Sequence, residues 1–315
     1  MFTKFLQFSF LAWLIVLCNA EGKRISQIKC EEYINDTTIT TSVIYMTLYP
    51  VPMKIKYYNC SKSVDLIVGG ENAKRGEFPH HVLLGWETDT PQEYLFDCGG
   101  TLISDRYVLT AAHCTGKLSV KHPQPTIVRF AELNLMNDSI DQFDVQIDGI
   151  LKHPKHRFGR SYNDIALVRL KQKVIFSMLV QPACLWDDTN TNVSSVIATG
   201  FGKTNPFNLE GSNTLRKVQL NVQNSSECDK QFRATRGFRE GMADQQMCVG
   251  SREDNRDTCQ GDSGGPIQVL LNPKGCIYHV IGITSIGSVC GKKEPAVYTK
   301  VASYLDWIES VVWGS

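Results

Sequence analysis

From residue 101 to residue 285 the chain returns repeatedly to short β-rich runs, each closed off by a turn signal. Thr101–Ile103, Tyr107–Leu109, Thr126–Phe130 and Ile165–Leu170 are four of them. Ser195–Ala198, Val218–Val222, Pro266–Leu271 and Tyr278–Ser285 are four more. Strands this short, at this spacing, make an all-β barrel or sandwich. One stretch breaks the pattern. Between Val301 and Ile308 the apolar residues recur at helical intervals, which predicts a C-terminal helix packed on the β core.

A second stretch carries chemistry. Asp257-Thr258-Cys259-Gln260-Gly261-Asp262-Ser263-Gly264-Gly265-Pro266 places a serine between an Asp and two glycines, with Gly261 two residues before it. The glycines permit backbone dihedrals that other residues resist, so Ser263 sits on a tight turn. They also let a carbonyl group approach main-chain N–H groups. The amides of Gly261 and Ser263 then form a candidate oxyanion hole. The bland alternative is a Gly-rich surface turn.

A serine hydroxyl needs a base to take its proton. Upstream, Thr110-Ala111-Ala112-His113-Cys114 follows the apolar run Tyr107-Val108-Leu109, and Asn163-Asp164-Ile165-Ala166-Leu167 lies between. His113, Asp164 and Ser263 occur in one of the known chain orders of a Ser-His-Asp triad. The motifs IVGG at Ile67, TAAHC at Thr110, NDIAL at Asn163 and GDSGGP at Gly261 resemble those of the trypsin-like (chymotrypsin-fold) serine proteases. The resemblance runs from Ile67 to the C-terminus.

It implies two six-stranded antiparallel β-barrels with the active site between them. It implies that Ser263 is the nucleophile, His113 the general base and Asp164 its orienter. Asp257, six residues before Ser263, falls where trypsin-like members keep a carboxylate that pairs with a substrate Arg or Lys. Ser285 and Gly287 fall on the substrate strand and the open pocket wall. The family's Pro-Gly-Val-Tyr reads Pro295-Ala296-Val297-Tyr298 here, so Ala296 adds a methyl group to the other wall. A methyl that crowds a packed site costs about 1–3 kcal/mol. The resemblance further implies cleavage between Leu66 and Ile67, after which the new ammonium of Ile67 pairs with Asp262 and orders the oxyanion loop. Leu66 stands where a basic residue is usual, so the upstream activating protease accepts Leu, and self-activation is not expected.

The chain has 315 residues, a net charge of +1 and ordinary composition, so nothing points to nucleic acid. Residues 1–20 read as a secretory signal: Lys4, then an apolar run from Phe8 to Cys18 broken only by Ser9, then Cys18-Asn19-Ala20. That run is too short to span a membrane comfortably. A soluble, extracellular mature protein is expected. Residues 21–66 then form a propeptide, and residues 67–315 the protease domain. The propeptide shows no helical period, and Thr37 to Tyr49 suggests a short strand. With only Cys30 and Cys60 it lacks the six cysteines of a complete clip domain, the unit that arthropod clip-type cascade proteases carry there.

An oxidising compartment makes disulfides of the ten cysteines left after Cys18. The resemblance proposes Cys98–Cys114, Cys228–Cys248, Cys259–Cys290, and a propeptide bond Cys60–Cys184. Cys30–Cys276 then follows only by elimination, with a free or intermolecular thiol as the alternative. Asn35, Asn137, Asn192 and Asn224 open plausible glycan acceptor sequences, and Asn59 a poorer one. No metal site is expected elsewhere, but Glu132 and Asp141 bracket a segment that resembles the calcium loop of trypsins. A solvated acidic loop is the alternative.

The combined reading is a secreted serine endopeptidase zymogen that cuts protein substrates after Arg or Lys. Its expected partners are a downstream protease zymogen, an upstream activator and a serpin inhibitor, in an arthropod immune or developmental cascade. The rivals are a venom or reproductive-fluid protease and a catalytically weak homologue acting as a binding cofactor.

Overall fold

A computed structural model of the chain describes residues 22–44, 46, 51–58, 70–116, 123–137, 140–188, 193–203, 211–251, 262–272, 277–287 and 294–314. The first barrel is built from β4 (His81–Glu87), β5 (Tyr94–Leu102), β6 (Tyr107–Thr110), β7 (Ile127–Phe130), β8 (Phe143–Lys152) and β9 (Ala166–Leu170). All are antiparallel and close in the order β4-β5-β6-β9-β8-β7. The second uses β11 (Ser195–Gly200), β12 (Arg216–Gln223), β13 (Gln246–Gly250), β14 (Pro266–Asn272), β15 (Ile277–Ile286) and β16 (Ala296–Lys300). It closes because β15 pairs with both β14 and β16. Two short strands extend it: β3 (Glu71–Asn72) on β12 and β10 (Cys184–Leu185) parallel to β15. The expected two-barrel fold is therefore found, and all eight β-rich runs of the sequence lie on its strands.

Closure removes the open sheet edges that such short strands would otherwise expose. It also explains burial that alternation alone would not give. Every residue of β4 from His81 to Trp86 is buried. One face fills the first barrel with Val82, Leu84 and Trp86, and His81 turns to the second, where its Nδ1 lies 3.2 Å from Thr199 Oγ1. Next to it, His80 Nε2 lies 2.9 Å from Gln268 Oε1. Burial lowers the pKa of both rings, to about 4 for His80 and about 3 for His81, so both are neutral barrel-to-barrel packing groups.

The C-terminal helix is present, with a correction to its start. Val301–Tyr304 forms a tight 3-10 turn, and a regular helix runs from Leu305 to Val312. It is numbered α3 here, after α1 (Ile25–Thr37) and α2 (Ser225–Phe232). Among the described residues no helix is long and apolar enough to cross a membrane.

In the segment expected to be a propeptide, the strand read between Thr37 and Tyr49 is found, but the helix before it was not expected. Residues Ile25–Thr37 are helical, and a hairpin of β1 (Thr38–Ile44) and β2 (Pro52–Tyr58) follows directly. The helix was illegible because it has no apolar stripe: only Ser26 and Cys30 are buried. Its first turn is closed by Gln27, whose Oε1 accepts the Arg24 N–H at 2.9 Å. The Cys60–Cys184 pairing is also corrected. Cys184 is bonded to Cys30, with Cα atoms 5.2 Å apart. Helix α1 rests against β10, which carries Cys184, and this delivers Cys30 to it; proximity in sequence to the cut site was the wrong guide. Cys30–Cys276 falls with it. Cys98–Cys114 and Cys228–Cys248 are formed as expected. Cys60, Cys259, Cys276 and Cys290 lie outside the described residues.

Where β3 meets β12, Lys217 and Glu77 form an ion pair at 2.6 Å, their side chains only 2% and 1% exposed. Removing one partner of such a pair leaves a buried charge, at a cost of about 3–5 kcal/mol. Lys217→Met is therefore expected to lower the thermal midpoint sharply. The double variant Lys217→Met/Glu77→Leu should recover most of the loss, as thermal unfolding followed by circular dichroism will show.

Candidate active site

His113 stands where β6 ends. The strand runs into a single 3-10 turn, Ala112–Thr115, that lifts the ring off the barrel. Asp164 stands just before β9. Its predecessor Asn163 has φ 51°, a left-handed conformation that Asn tolerates better than most residues. The kink turns the Asp164 carboxylate towards His113. Oδ1 accepts the His113 backbone N–H at 2.8 Å, and Oδ2 lies 2.7 Å from Nδ1. Ser285 Oγ donates to the same Oδ2. Thr299 Oγ1 donates to the Asp164 carbonyl at 2.9 Å, and Tyr304 OH to Asn163 Oδ1 at 3.2 Å. Asp164 is 3% exposed.

These bonds set the charges. Burial alone would push the Asp164 carboxyl up, but the charge and hydrogen bond of His113, with Ser285, hold it below the ordinary range. Burial likewise pulls His113 down, yet Asp164 outweighs it and raises the imidazole above its ordinary value. With Nδ1–H given to Asp164, the tautomer leaves Nε2 as the basic atom.

Ser263 lies on a turn that both barrels fix. Gly265 N–H donates to Asp262 O at 2.9 Å, and Gly264 N–H to Thr284 O of β15 at 2.9 Å. Across the barrels, Gly99 N–H of β5 donates to Ser263 O at 2.8 Å. Gly264 has φ 75°, and a methyl group there would lie 2.3 Å from Thr110 Oγ1 and 2.6 Å from Gly99 O. Only glycine fits, and the turn thereby abuts Thr110, at the end of β6, and Cys114, the neighbour of His113. Among the described residues no hydrogen bond joins Ser263 Oγ to His113 Nε2, a contact often loose before substrate arrives.

The Asp262 carboxylate points away from this cleft into a cradle the sequence reading missed. Oδ1 accepts Gly202 N–H at 2.8 Å. A methyl on Gly200 would lie 1.9 Å from Oδ1, and one on Gly202 2.4 Å from Oδ2. The signal was present as Gly200-Phe201-Gly202, but only the fold shows that it faces Asp262.

The other expected site residues divide. Ser285 is at the cleft, and Gly287 is exposed just after β15. Ala296 has no exposed surface and packs in the second-barrel core with Val249, Ile281 and Tyr298. Asp257, Gly261, Leu66, Ile67 and Asn192 lie outside the described residues. Asn35, Asn137 and Asn224 are all exposed.

Arginines meet the carboxylates of both expected calcium-loop residues, and Asp138 and Ser139 between them lie outside the described residues. Asp141 Oδ2 is 2.6 Å from Arg75 Nε. Glu132 Oε1 accepts Asn134 N–H at 2.9 Å, and its Oε2 faces Arg129 at 3.6 Å. Guanidinium groups stand against both carboxylates, and calcium needs six or more oxygens. Two Cys/His clusters, Cys98–His113–Cys114 and Cys30–Cys184–His279, contain disulfide cysteines, which offer no thiolate to a metal.

A family model described as Trypsin matches residues 67–308. "Serine protease snk" of Drosophila melanogaster is 40% identical over 296 residues, covering 93% of this chain and 66% of that protein. "Serine protease Hayan" of the same fly is 34% identical over 256 residues, covering 79% and 39%. "Phenoloxidase-activating enzyme 1" of Spodoptera litura is 35% identical over 271 residues, covering 80% and 68%. The chain thus spans just under two thirds of the first relative and well under half of the second.

The geometry predicts a pH profile. Attack by Ser263 needs neutral His113, so labelling of Ser263 by a serine-directed phosphonate should accelerate as pH rises through a value above 6.5, the ordinary histidine pKa. Asp164→Asn should slow it by roughly 10⁴-fold by loss of the tautomer. A rate independent of pH between 5 and 9, or unchanged in the variant, would sink the assignment. The measurement is mass spectrometry of the labelled protein, in the form cut before Ile67.

Proposed function

The chain belongs to the trypsin family and is a serine endopeptidase; from that premise we propose that it is a secreted zymogen, cut between Leu66 and Ile67, whose active form cleaves proteins after Arg or Lys. The observation that carries the catalytic part is Asp164, held by two hydrogen bonds on His113 beside the Ser263 turn.

Ser263 Oγ attacks the scissile carbonyl. His113 Nε2 takes its proton and returns it to the leaving amine, while Asp164 holds the tautomer and balances the imidazolium. The backbone N–H groups of Gly261 and Ser263 receive the oxyanion. Asp257 supplies the carboxylate for a basic side chain, Ser285 and Gly287 line its path, and Ala296 adds a methyl group behind the other wall. On activation the Ile67 ammonium joins Asp262, whose carboxylate already rests against Gly200 and Gly202. A buried ammonium–carboxylate pair then orders the oxyanion loop.

The substrate is another protein, and the pathway an extracellular cascade of arthropod immunity or development. Relatives named as a phenoloxidase-activating enzyme and a Spaetzle-processing enzyme support a protein substrate. Leu66 calls for an upstream protease that accepts Leu, and a serpin is the fitting inhibitor. We infer no calcium requirement, a reading that the contacts of Arg75 and Arg129 with the loop carboxylates support.

The test uses the full zymogen with a foreign cleavage site placed before Ile67. After cutting, Arg and Lys peptide amides should be hydrolysed and Leu and Phe amides spared. Ser263→Ala should lose at least about 10⁴-fold, and Ala296→Gly should raise the rate on Arg. EDTA should leave both rate and thermal midpoint unchanged. No turnover of any amide after a verified cut would overturn the proposal.

A further inference from the structure

The propeptide is fastened to the protease domain at three places along one helix. At the N-terminal end, Arg24 reaches α3: Nε is 3.0 Å from Glu309 Oε1 and Nη2 is 2.8 Å from Oε2, a two-pronged pair. Arg24 also meets Asp306. Ser26 adds its Oγ at 2.6 Å and its backbone N–H at 3.3 Å to the same Glu309 Oε1. Glu309 is 6% exposed and Ser26 4%. Gln27 bonds Asp187 on the loop after β10. Midway, Cys30 is bonded to Cys184. At the far end, Tyr33 packs edge-on against Phe176 at 5.3 Å, and its hydroxyl accepts Trp313 Nε1–H at 3.2 Å.

Two-pronged Arg–carboxylate bonds are among the strongest polar contacts proteins make. Here the carboxylate is nearly out of water, and its side-chain partners, Arg24 and Ser26, come from the propeptide. Ser26 and Tyr33 are about 10 Å apart along the helix at 1.5 Å per residue, so the polar and aromatic contacts are distinct from each other and from the disulfide between them. The proposed cut at Leu66 lies 29 residues beyond Thr37 (66 − 37) and touches none of these contacts.

We propose that the Arg24–Ser26–Glu309 clamp and the Tyr33 contacts suffice by themselves to hold the propeptide on the mature enzyme after activation, with the Cys30–Cys184 bond dispensable for retention. The receptor is the surface formed by Asp306, Glu309 and Trp313 of the C-terminal segment with Phe176 and Asp187. One consequence follows for the surface of the active enzyme. The β1–β2 hairpin begins at Thr38 with no linker after α1, so it stays on the enzyme too. One of its faces gathers Ile39, Thr41 and Val43, the last two opposite Ile55 and Met53.

The inference rests on the cut proposed above, and the experiment separates the two. The full chain with a foreign site before Ile67 is made as Cys30→Ser/Cys184→Ser, cut, and checked by N-terminal sequencing for Ile67. Native size exclusion should then show the propeptide fragment co-eluting one-to-one with the protease chain. Elution of the fragment apart from it overturns the proposal. Adding Arg24→Ala/Ser26→Ala in the same background should release the fragment, and unchanged co-elution would overturn the clamp. If the cysteine variant is not secreted, hydrogen exchange on the disulfide-bonded cut enzyme decides. Protection of amides 25–37 should fall at least tenfold in Arg24→Ala/Ser26→Ala, and unaltered protection overturns the clamp. A cut enzyme without amidase activity counts against the activation reading alone, and the elution of the fragment still decides retention.

Discussion

Asp164 is a carboxylate almost fully removed from water, and both barrels contribute to satisfying it. His113 comes from the turn after β6, in the first barrel. Ser285 comes from β15, in the second, where Thr299 of β16 also holds the Asp164 backbone carbonyl. A buried charge with these partners is stable, and without them it is a large penalty. The barrels must therefore dock in one register, because any slide would strip Asp164 of one set of donors. The same register brings Gly99 of β5 onto the carbonyl of Ser263. The cleft is thus a by-product of satisfying one buried charge.

Around that charge, the nucleophile loop is shaped by missing side chains. Gly264 is needed where the turn meets Thr110 and Gly99, and Gly200 and Gly202 where the Asp262 carboxylate lies. Each is a place where backbone has to approach closer than a Cβ allows. Ser263 and Asp262 are neighbours, yet their side chains serve opposite faces of the loop. Ser263 serves the cleft, and Asp262 the interior beside Gly202. A charge arriving at Asp262 is therefore felt at Ser263 through a single rigid turn.

The propeptide follows different physics. It lacks a core, and its helix buries only Ser26 and Cys30. Covalent and polar fastenings replace hydrophobic burial, which suits a segment too short to fold alone. The fastenings lie on the C-terminal helix and the segment around β10, so helix α1 meets both.

Sequence by itself determined the strands, the order His113, Asp164, Ser263 and the family, because these depend on local patterns: alternation, glycine spacing and short motifs. It placed the C-terminal helix near Val301 but not the 3-10 turn that precedes Leu305, since both share one apolar spacing. Only the tertiary structure decided which cysteine meets Cys184, where Asp262 points, and that Arg75 and Arg129 face the carboxylates of the 132–141 loop. Those are pairings between residues tens to hundreds of positions apart. Nothing local encodes them: Cys30 and Cys60 look alike in sequence, and Cys30 meets Cys184 because helix α1 packs against β10, 154 positions away.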